Sequence, residues 1–89
     1  MSDLIDNLAD SRFELEVDGH VGFAAYEIDG DIITFTHTIV PEALQGRGVA
    51  SRLIGGALKA ARERKLRVVP QCSFVAAYID KHPETQDLV

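Results

Sequence analysis

The chain has 89 residues, of which 46% are hydrophobic, and a formal net charge of −5 at pH 7. This length predicts one domain spanning residues 1–89, and the apolar fraction argues against disorder. The sequence pI is about 5.0, no basic patch is interleaved with aromatic residues, and no apolar run approaches the roughly 18 residues of a membrane span, so we expect neither nucleic acid nor membrane as a partner.

The first half of the chain predicts a small antiparallel sheet. Residues 1–11 predict a loose or weakly helical lead-in. Polar and apolar side chains then alternate in Arg12–Val17, which is typical of a half-buried strand. Two further apolar and β-branched segments predict a second and a third strand, with Gly22 as a candidate bulge. Asp-Gly pairs between the strands are signals of tight hairpins, so the three form a meander: residues 12–17, 20–28 and 31–40, separated at Asp18-Gly19 and Asp29-Gly30.

In the second half of the chain the spacing of apolar residues changes from that of a strand to that of a helix, and the pattern predicts two helices with one strand between them. Pro41 ends the third strand, and from Gly46 apolar residues recur at helical spacing over roughly five turns. Residues 65–70 predict a short fourth strand, which after a helix should lie parallel to the third through a right-handed crossover. Ser73–Lys81 predicts a second helix that His82-Pro83 ends. The order β-β-β-α-β-α therefore predicts an α+β fold.

Two glycines inside the first predicted helix, Gly55 and Gly56, predict that something packs closely against it.

Charge is also uneven along the chain. Seven of the nine basic residues fall between Arg47 and Arg67, whereas nine acids fall within residues 1–31. The basic half should attract an anion and the acidic half a cation such as an amine, unless both are ordinary solvated surface.

The turn Gln45-Gly46-Arg47-Gly48-Val49-Ala50 opens the first helix and is the strongest functional signal. Free N–H groups at a helix start favour an anion, typically phosphate, and the glycines leave room for it. Arg47 and Arg52 would add positive charge. A P-loop lysine is absent, and Ser51 stands where a dinucleotide fingerprint has its third glycine. From the residues alone, a phosphate site and a tight strand-to-helix connection both stay open.

A family resemblance narrows this choice. Gln45-x-x-Gly48-x-Ala50, preceded by Val40-Pro41, resembles the acetyl-CoA signature of the GNAT-type N-acetyltransferases, Arg/Gln-x-x-Gly-x-Gly/Ala. From the first predicted strand onward, the chain resembles the short, single-domain acetyltransferase-like branch of that family. The segments that resemble it are His37-Thr38-x-Val40-Pro41, Pro70-x-Cys72-Ser73-Phe74, Tyr78 and His82-Pro83-Glu84.

The resemblance implies a minimal GNAT-like fold and an enzyme that transfers the acetyl group of acetyl-CoA to a primary amine. The acceptor would be a protein lysine, an N-terminus or a small amine. The pantetheine arm would run between the ends of the third and fourth strands. The elements that usually shape the acceptor site in full-length enzymes have no room here, which motivates the alternative of a non-catalytic CoA-binding module. The implied cofactor-binding residues are Val40, Gln45, Gly46, Arg47, Gly48, Val49, Ala50, Ser51 and Arg52.

Three side chains are candidates for catalysis, and each has a structural alternative. Cys72, at a predicted helix N-terminus, is a nucleophile, a thiol in contact with the acetyl group, or a buried small hydrophobe. His37 is a general base or a solvent-facing strand histidine. Tyr78 resembles the tyrosine that protonates the departing CoA thiolate in GNAT enzymes, or is a core aromatic.

The histidines and the cysteine show no zinc-binding spacing, so we expect no metal site. Cys72 is the only cysteine and cannot form an internal disulfide. Because the N-terminus is acidic where a signal peptide would be basic, we expect a cytoplasmic protein. A core this small is marginal, which favours a monomer or a weak homo-oligomer stabilised by its ligand.

Overall fold

A five-stranded sheet with strand order β1-β2-β3-β4-β5 organises the protein, as seen in a computed structural model that describes residues 4–89. Two α-helices and two short 3-10 helices, Glu42–Leu44 and Pro83–Leu88, complete it. In chain order the strands and α-helices are β1 (Leu4–Asn7), β2 (Arg12–Val17), β3 (His20–Asp29), β4 (Ile32–Ile39), α1 (Val49–Glu63), β5 (Arg67–Pro70) and α2 (Ser73–Lys81).

The predicted α+β fold is confirmed. Strands β2, β3 and β4 form the antiparallel meander, and β5 pairs with β4 in parallel after α1. At the first hairpin Asp18 and Gly19 have φ angles of 51° and 79°, and two consecutive positive values match the twist of a tight hairpin. Helix α2 has the predicted bounds.

The predicted lead-in is wrong for residues 4–7, which form β1 on the outer edge of β2; residues 1–3 lie outside the described chain. Leu4 lies opposite Leu15 and packs against the core. A β-carbon on Gly56 would lie 2.7 Å from Leu4 Cδ2, and one on Gly55 would lie 2.8 Å from Tyr78 Oη. The predicted close packing at both glycines is therefore confirmed, and it is Leu4 that anchors β1.

Two element boundaries differ from the predictions because the backbone there is left-handed. Helix α1 begins at Val49 rather than Gly46, since Gly46 and Gly48 have φ angles of 80° and 72°. Strand β5 begins at Arg67 rather than at Lys65, where φ is 58°. A residue with positive φ cannot continue a right-handed helix or an ordinary strand.

The predicted bulge at Gly22 is also wrong. Gly22 pairs in register with Leu15, and its missing side chain leaves room for the carbonyl oxygen of Ile39, 3.5 Å from where a β-carbon would lie. The bulge is in β4, where Thr36 is the extra residue between the pairs Ala25–His37 and Tyr26–Phe35. An extra residue shifts the alternation of side chains beyond it to the other side of the sheet.

The two faces of the sheet differ sharply. One face is buried beneath α1, α2 and the C-terminal 3-10 helix in a single apolar cluster that includes Phe13, Phe35 and Leu53. We call it the helix face. Over the described chain no helix covers the opposite face, the bare face, where Val21 and Ile39 are 40% and 51% exposed.

Candidate functional site

The turn between β4 and α1 is held from beneath by a buried side chain. Leu44 is fully buried at the end of the first 3-10 helix, and its N–H donates to the carbonyl of Pro41 at 2.9 Å. The side chain of Gln45 donates to the carbonyl of Val40 at 3.4 Å, tying the turn back to the end of β4. Both contacts fix the approach of the chain to the start of α1.

The start of α1 has backbone donors without partners in the helix. Gly48 is the N-cap residue and provides no side-chain cap, and the first helical bond runs from Arg52 N–H to the carbonyl of Gly48. The amides of Val49, Ala50 and Ser51 precede that bond, so they have no acceptor within the helix. Together with the helix dipole, three such amides favour an anion.

A groove of about 500 Å³ opens over these amides. We call it the turn groove. Nothing lies within 4 Å of the positions that β-carbons would occupy at Gly46 or Gly48, so both glycines border open space. No acidic side chain is among its lining residues in the described chain, which are Thr38, Val40, Leu44, Gln45, Gly46, Gly48, Val49, Ala50, Ser51 and Phe74.

Arg47 and Arg52 are next in sequence to residues that line the turn groove, and their side chains differ in their contacts. Arg47 forms an ion pair with Asp18 at 2.8 Å, and both side chains are about half exposed or more, at 48% and 67%. Arg52 is exposed and has no ion pair within residues 4–89. Exposed pairs of this kind contribute little stability, so an arriving phosphate would compete with Asp18 at low cost.

Strands β4 and β5 separate next to this groove. They pair only along residues 32–35 of β4, and the last backbone bond between the two segments runs from Cys72 N–H to the carbonyl of Phe35 at 2.9 Å. Strand β4 then continues to Ile39 while the chain beyond β5 turns into α2. The free edge of β4 at residues 36–39 is therefore open on the side toward α2.

Cys72 lies at this separation on the helix face. It is 5% exposed, and its thiol donates to Thr38 Oγ1 at 3.3 Å. Thr38 in turn lines the turn groove. The thiol is thus one side chain away from the groove, at the N-cap of α2.

His37 lies on the bare face and is exposed, on the opposite side of β4 from Cys72. Its ring meets the edge of the Phe23 ring at a centroid distance of 5.8 Å, and the guanidinium of Arg12 lies 4.5 Å from the centre of that same ring. Beside them Arg12 donates a hydrogen bond to Glu14 at 2.6 Å, and Asn7 donates a second one. These two hydrogen bonds lower the pKa of the Glu14 carboxyl.

Tyr78 lies outside the turn groove. Its ring stacks on His82 with centroids 3.7 Å apart, and it packs across Gly55 in the middle of α1. The predicted site residues therefore divide into three places: the turn and Cys72 on the helix face, His37 on the bare face, and Tyr78 between α1 and α2.

Thr38 and Phe74 line the groove but had no predicted role. Thr38 belongs to the segment His37-Thr38-x-Val40-Pro41 that resembles the family, yet simple alternation from Ile33 and Phe35 assigns the helix face to His37. The bulge at Thr36 reverses this and brings Thr38 there instead. Phe74 also belongs to a segment that resembles the family, but nothing in that segment assigns it a role, and it is 51% exposed at the first turn of α2.

The described chain has neither a candidate metal cluster nor a helix that could span a membrane. No cluster of three histidine, cysteine or acidic side chains suited to a metal ion occurs in residues 4–89. Over the same residues, neither α1 nor α2 has the length and apolar character needed to cross a membrane.

Comparison with known proteins identifies relatives across most of the chain. The family model of the GCN5-related N-acetyltransferases matches residues 12–88. Protein NATD1 of Mus musculus and of Gallus gallus is 36% identical over 64 residues, which is 71% of this chain and 58% of each relative. The chain therefore matches less than two thirds of the length of these relatives.

A solved structure is similar over nearly the full length. The NMR solution structure of a GCN5-like protein from Staphylococcus aureus superimposes with a TM-score of 0.74 at 26% identity. The superposition covers 97% of this chain and 85% of the other. The five-stranded sheet with its helices is thus the arrangement of a GNAT-like fold.

Proposed function

The chain belongs to the GCN5-related N-acetyltransferase family, and from this membership we propose that it transfers the acetyl group of acetyl-CoA to a primary amine. The acceptor would be a protein lysine, a protein N-terminus or a small amine. The observation that supports the proposal most strongly is the start of α1, where three amides without acceptors in the helix belong to residues that line an open groove.

The residues present fit the phosphate half of acetyl-CoA. The pyrophosphate would be held by the amides of Val49, Ala50 and Ser51, because these lack acceptors and no β-carbon at Gly46 or Gly48 blocks the approach. Arg47 and Arg52 would neutralise its charge. Gln45 would act indirectly, since its side chain already binds the carbonyl of Val40.

The residues also fit the pantetheine arm, an extended chain with two amides. The unpaired edge of β4 at residues 36–39 offers backbone donors and acceptors to such a chain. Val40 and Leu44 provide apolar contact along the wall of the turn groove. When bound, acetyl-CoA supplies an activated acetyl thioester at the point where β4 and β5 separate.

The chemistry we propose is direct attack. The amine nitrogen forms a bond to the acetyl carbon, the carbon–sulfur bond breaks, and the proton lost by the nitrogen goes to His37. Since His37 lies on the bare face, it can serve an amine that arrives from that face. A backbone N–H on the free edge of β4 would stabilise the oxyanion, and Tyr78 is the proposed donor of a proton to the CoA thiolate.

A covalent variant would use Cys72 as the nucleophile: its sulfur bonds to the acetyl carbon while the bond from that carbon to the CoA sulfur breaks, and CoA leaves as the thiol with the proton that Cys72 gives up. The amine then attacks the acetyl carbon on Cys72, and the proton it loses restores the Cys72 thiol. The thiol lies on the helix face beside Thr38. The two routes therefore assign the essential side chain to opposite faces of β4, which makes them separable by substitution.

Binding is tested first. Acetyl-CoA should raise the melting temperature of the protein once its concentration exceeds the dissociation constant. No rise at concentrations well above micromolar would contradict the proposal. Binding without CoA release over a broad panel of amines and peptides would instead favour the non-catalytic CoA-binding module.

The route is tested next, by steady-state acetylation assays. Under direct attack His37→Ala lowers turnover and Cys72→Ala leaves it unchanged, while the covalent variant requires that Cys72→Ala abolish it. His20→Ala, another exposed strand histidine, is the matched control and should behave like wild type. Unchanged turnover in both His37→Ala and Cys72→Ala would remove both assignments.

We further propose a cytoplasmic location, one domain over residues 1–89, and a monomer or weak homo-oligomer. The single cysteine, which leaves the chain without an internal disulfide, supports the location. Size-exclusion chromatography with light scattering tests the oligomeric state, and a stable tetramer or larger assembly would contradict it.

A further inference from the structure

Thr36 is the extra residue of the bulge in β4, and its hydroxyl lies next to the imidazole of His37. The distance from Thr36 Oγ1 to His37 Nδ1 is 3.2 Å. In a regular strand two consecutive side chains point to opposite faces of the sheet, so they cannot share a hydrogen bond. The bulge removes this restriction because it breaks the alternation at Thr36. The residue that places His37 on the bare face therefore also gives its ring a polar partner.

The direction of this hydrogen bond follows from a second partner of the hydroxyl. Thr36 Oγ1 donates to the backbone carbonyl of Ala25 at 3.4 Å. A carbonyl oxygen can only accept, and a hydroxyl has one proton to donate. Toward His37 the oxygen of Thr36 is therefore an acceptor, so Nδ1 of the imidazole carries a hydrogen. In a neutral imidazole the other nitrogen, Nε2, is then unprotonated.

The orientation of the His37 ring is also fixed by an aromatic contact. The ring of Phe23 meets it almost at a right angle, with 81° between the two planes. The guanidinium of Arg12 in turn lies over the Phe23 ring. An exposed side chain without such contacts changes rotamer within nanoseconds. With Thr36 at Nδ1 and Phe23 against the ring, Nε2 is the nitrogen left for an arriving substrate.

We propose that Thr36 is a positioning residue for His37: its hydroxyl holds the imidazole in the Nδ1–H tautomer, so that Nε2 receives the proton of the acceptor amine. This inference rests on the proposed function, in which His37 is the general base. General-base catalysis requires an unprotonated nitrogen directed at the proton that it removes. In this role Thr36 acts only through His37 and contacts neither the amine nor the acetyl group.

The same hydrogen bond serves both protonation states of His37. The lone pair of Nε2 takes the proton that the amine nitrogen loses as it bonds to the acetyl carbon, and the imidazole becomes an imidazolium. Nδ1 keeps its hydrogen throughout and continues to donate to Thr36 Oγ1. The hydroxyl therefore does not reorient during the step, and its oxygen, directed at the ring, stabilises the positive charge. Nε2 then releases the proton to water.

NMR of protein labelled with nitrogen-15 at histidine tests the tautomer without an enzyme assay. At about pH 9 histidines are neutral, and the chemical shifts of the two ring nitrogens report which one carries the hydrogen. We expect His37 in the Nδ1–H tautomer. His82 is a reference in the same spectrum, because its Nδ1 donates to the carbonyl of Tyr78 at 2.7 Å. An unprotonated Nδ1 at His37 of the wild-type protein would overturn the inference.

Thr36→Val removes the hydroxyl and preserves the β-branched shape. In this variant we expect both tautomers of His37 and a kcat about fivefold lower, with KM for acetyl-CoA unchanged. Thr36→Ser restores a hydroxyl and should recover the wild-type tautomer and kcat. Thr34→Val, at another half-buried threonine of β4, is the matched control and should alter neither. Retention of the Nδ1–H tautomer in Thr36→Val would show that Thr36 does not hold the ring.

A double variant tests whether Thr36 acts only through His37. Thr36→Val combined with His37→Ala should be as slow as His37→Ala alone, because residues that act as one unit are not additive. A further loss in the double variant would contradict the positioning role.

The outcomes separate this inference from the proposed function. If His37→Ala retains full turnover, the proposed base is wrong and the positioning role falls with it, although NMR still decides the tautomer. If His37→Ala is slow while Thr36→Val is as fast as wild type, the base stands and the positioning role of Thr36 is wrong.

Discussion

The two ends of α1 differ in whether their polar groups have partners within the protein. At its C-terminal end the chain satisfies itself: Leu66 N–H donates to the carbonyl of Ala61, and Arg64 binds Asp6. At its N-terminal end, Gly48 offers no cap and Arg52 has no ion pair in the described chain. We call the C-terminal end of α1, where Leu66 and Asp6 make these contacts, the closed end. We call the N-terminal end at Gly48, where amides have no acceptor in the helix, the open end. A ligand can therefore add stabilisation at the open end.

The closed end is a network rather than a single contact. Asp6 accepts from the hydroxyl of Tyr26 at 2.5 Å and from Arg64 at 3.3 Å, so it joins β1, β3 and the end of α1. Arg62 binds both carboxylate oxygens of Asp87 and the carbonyl of Glu84. Residues at this end should therefore affect stability but not ligand binding, and residues at the open end should do the reverse.

The largest expected effect is at the open end, on substituting Gly48→Ala. The φ angle of 72° is strained for a residue with a side chain, which should cost about 1 kcal/mol of unfolding free energy. The added methyl group would also stand where the phosphate approaches, so acetyl-CoA affinity measured by calorimetry should fall about tenfold, or 1.4 kcal/mol.

Gly30→Ala is the matched control for that substitution. Gly30 has φ of 63° with nothing within 4 Å of a β-carbon, so the backbone strain is similar, but it lies in the β3–β4 hairpin. Both variants should lose similar stability in urea unfolding, and only Gly48→Ala should lose affinity. Equal affinity in the two variants would mean that the turn does not bind the ligand.

The closed end is tested by Tyr26→Phe, which removes the hydroxyl that donates to Asp6. Loss of this part-buried hydrogen bond should lower the free energy of unfolding by about 1 kcal/mol, since Asp6 loses a donor. Acetyl-CoA affinity should not change. A loss of affinity comparable to that of Gly48→Ala would remove the distinction between the two ends.

Tyr26 also predicts a pH dependence. Burial, followed by the bond to Asp6, raises the pKa of this hydroxyl to about 12. In the unfolded chain a tyrosine ionises near pH 10, so the folded state holds the proton more tightly. The stabilisation is complete below about pH 10 and is lost as pH rises toward 12. Urea unfolding from pH 8 to 12 should show this alkaline loss in wild type and a smaller one in Tyr26→Phe.

The sequence predicted regular elements well, because their signals are local. Alternation in β2 and the amphipathic period of α1 each follow from a few adjacent residues. Strand β1 was missed because its four residues include two polar ones and its support comes from distant partners, Leu15 and Gly56. Contacts across such separations leave no pattern in the segment itself.

The candidate site was predicted only in part, for the same reason. The glycine turn is a local motif, but the position of His37 depends on a single inserted residue, Thr36. Such a bulge has no compositional signature here, and without it His37 and Cys72 would share a face. Thr38, which binds the thiol of Cys72, became visible only through the fold.

A smaller effect is expected from Lys65→Gly at the closed end. Lys65 follows α1 with φ of 58°, the position where glycine is most common. Glycine would relieve the strain but lose more chain entropy on folding, for a net gain of about 0.5 kcal/mol in unfolding free energy. Lys65→Ala retains the strain and should show no gain. A gain in both variants would point to charge rather than backbone conformation.

The smallest expected effect is on a substitution at the open end, where Asp18 forms an ion pair with Arg47 at 2.8 Å. Asp18→Asn removes the competing charge, and asparagine tolerates the left-handed backbone at φ of 51°, so folding should be preserved. Acetyl-CoA should then bind about twofold more tightly at low salt and with no advantage at high salt. Asp29→Asn, in the other hairpin of β3, should leave the affinity unchanged. Unchanged or weaker binding in Asp18→Asn would mean that Arg47 does not bind the phosphate, and the attraction at the open end would then come from the amides and Arg52.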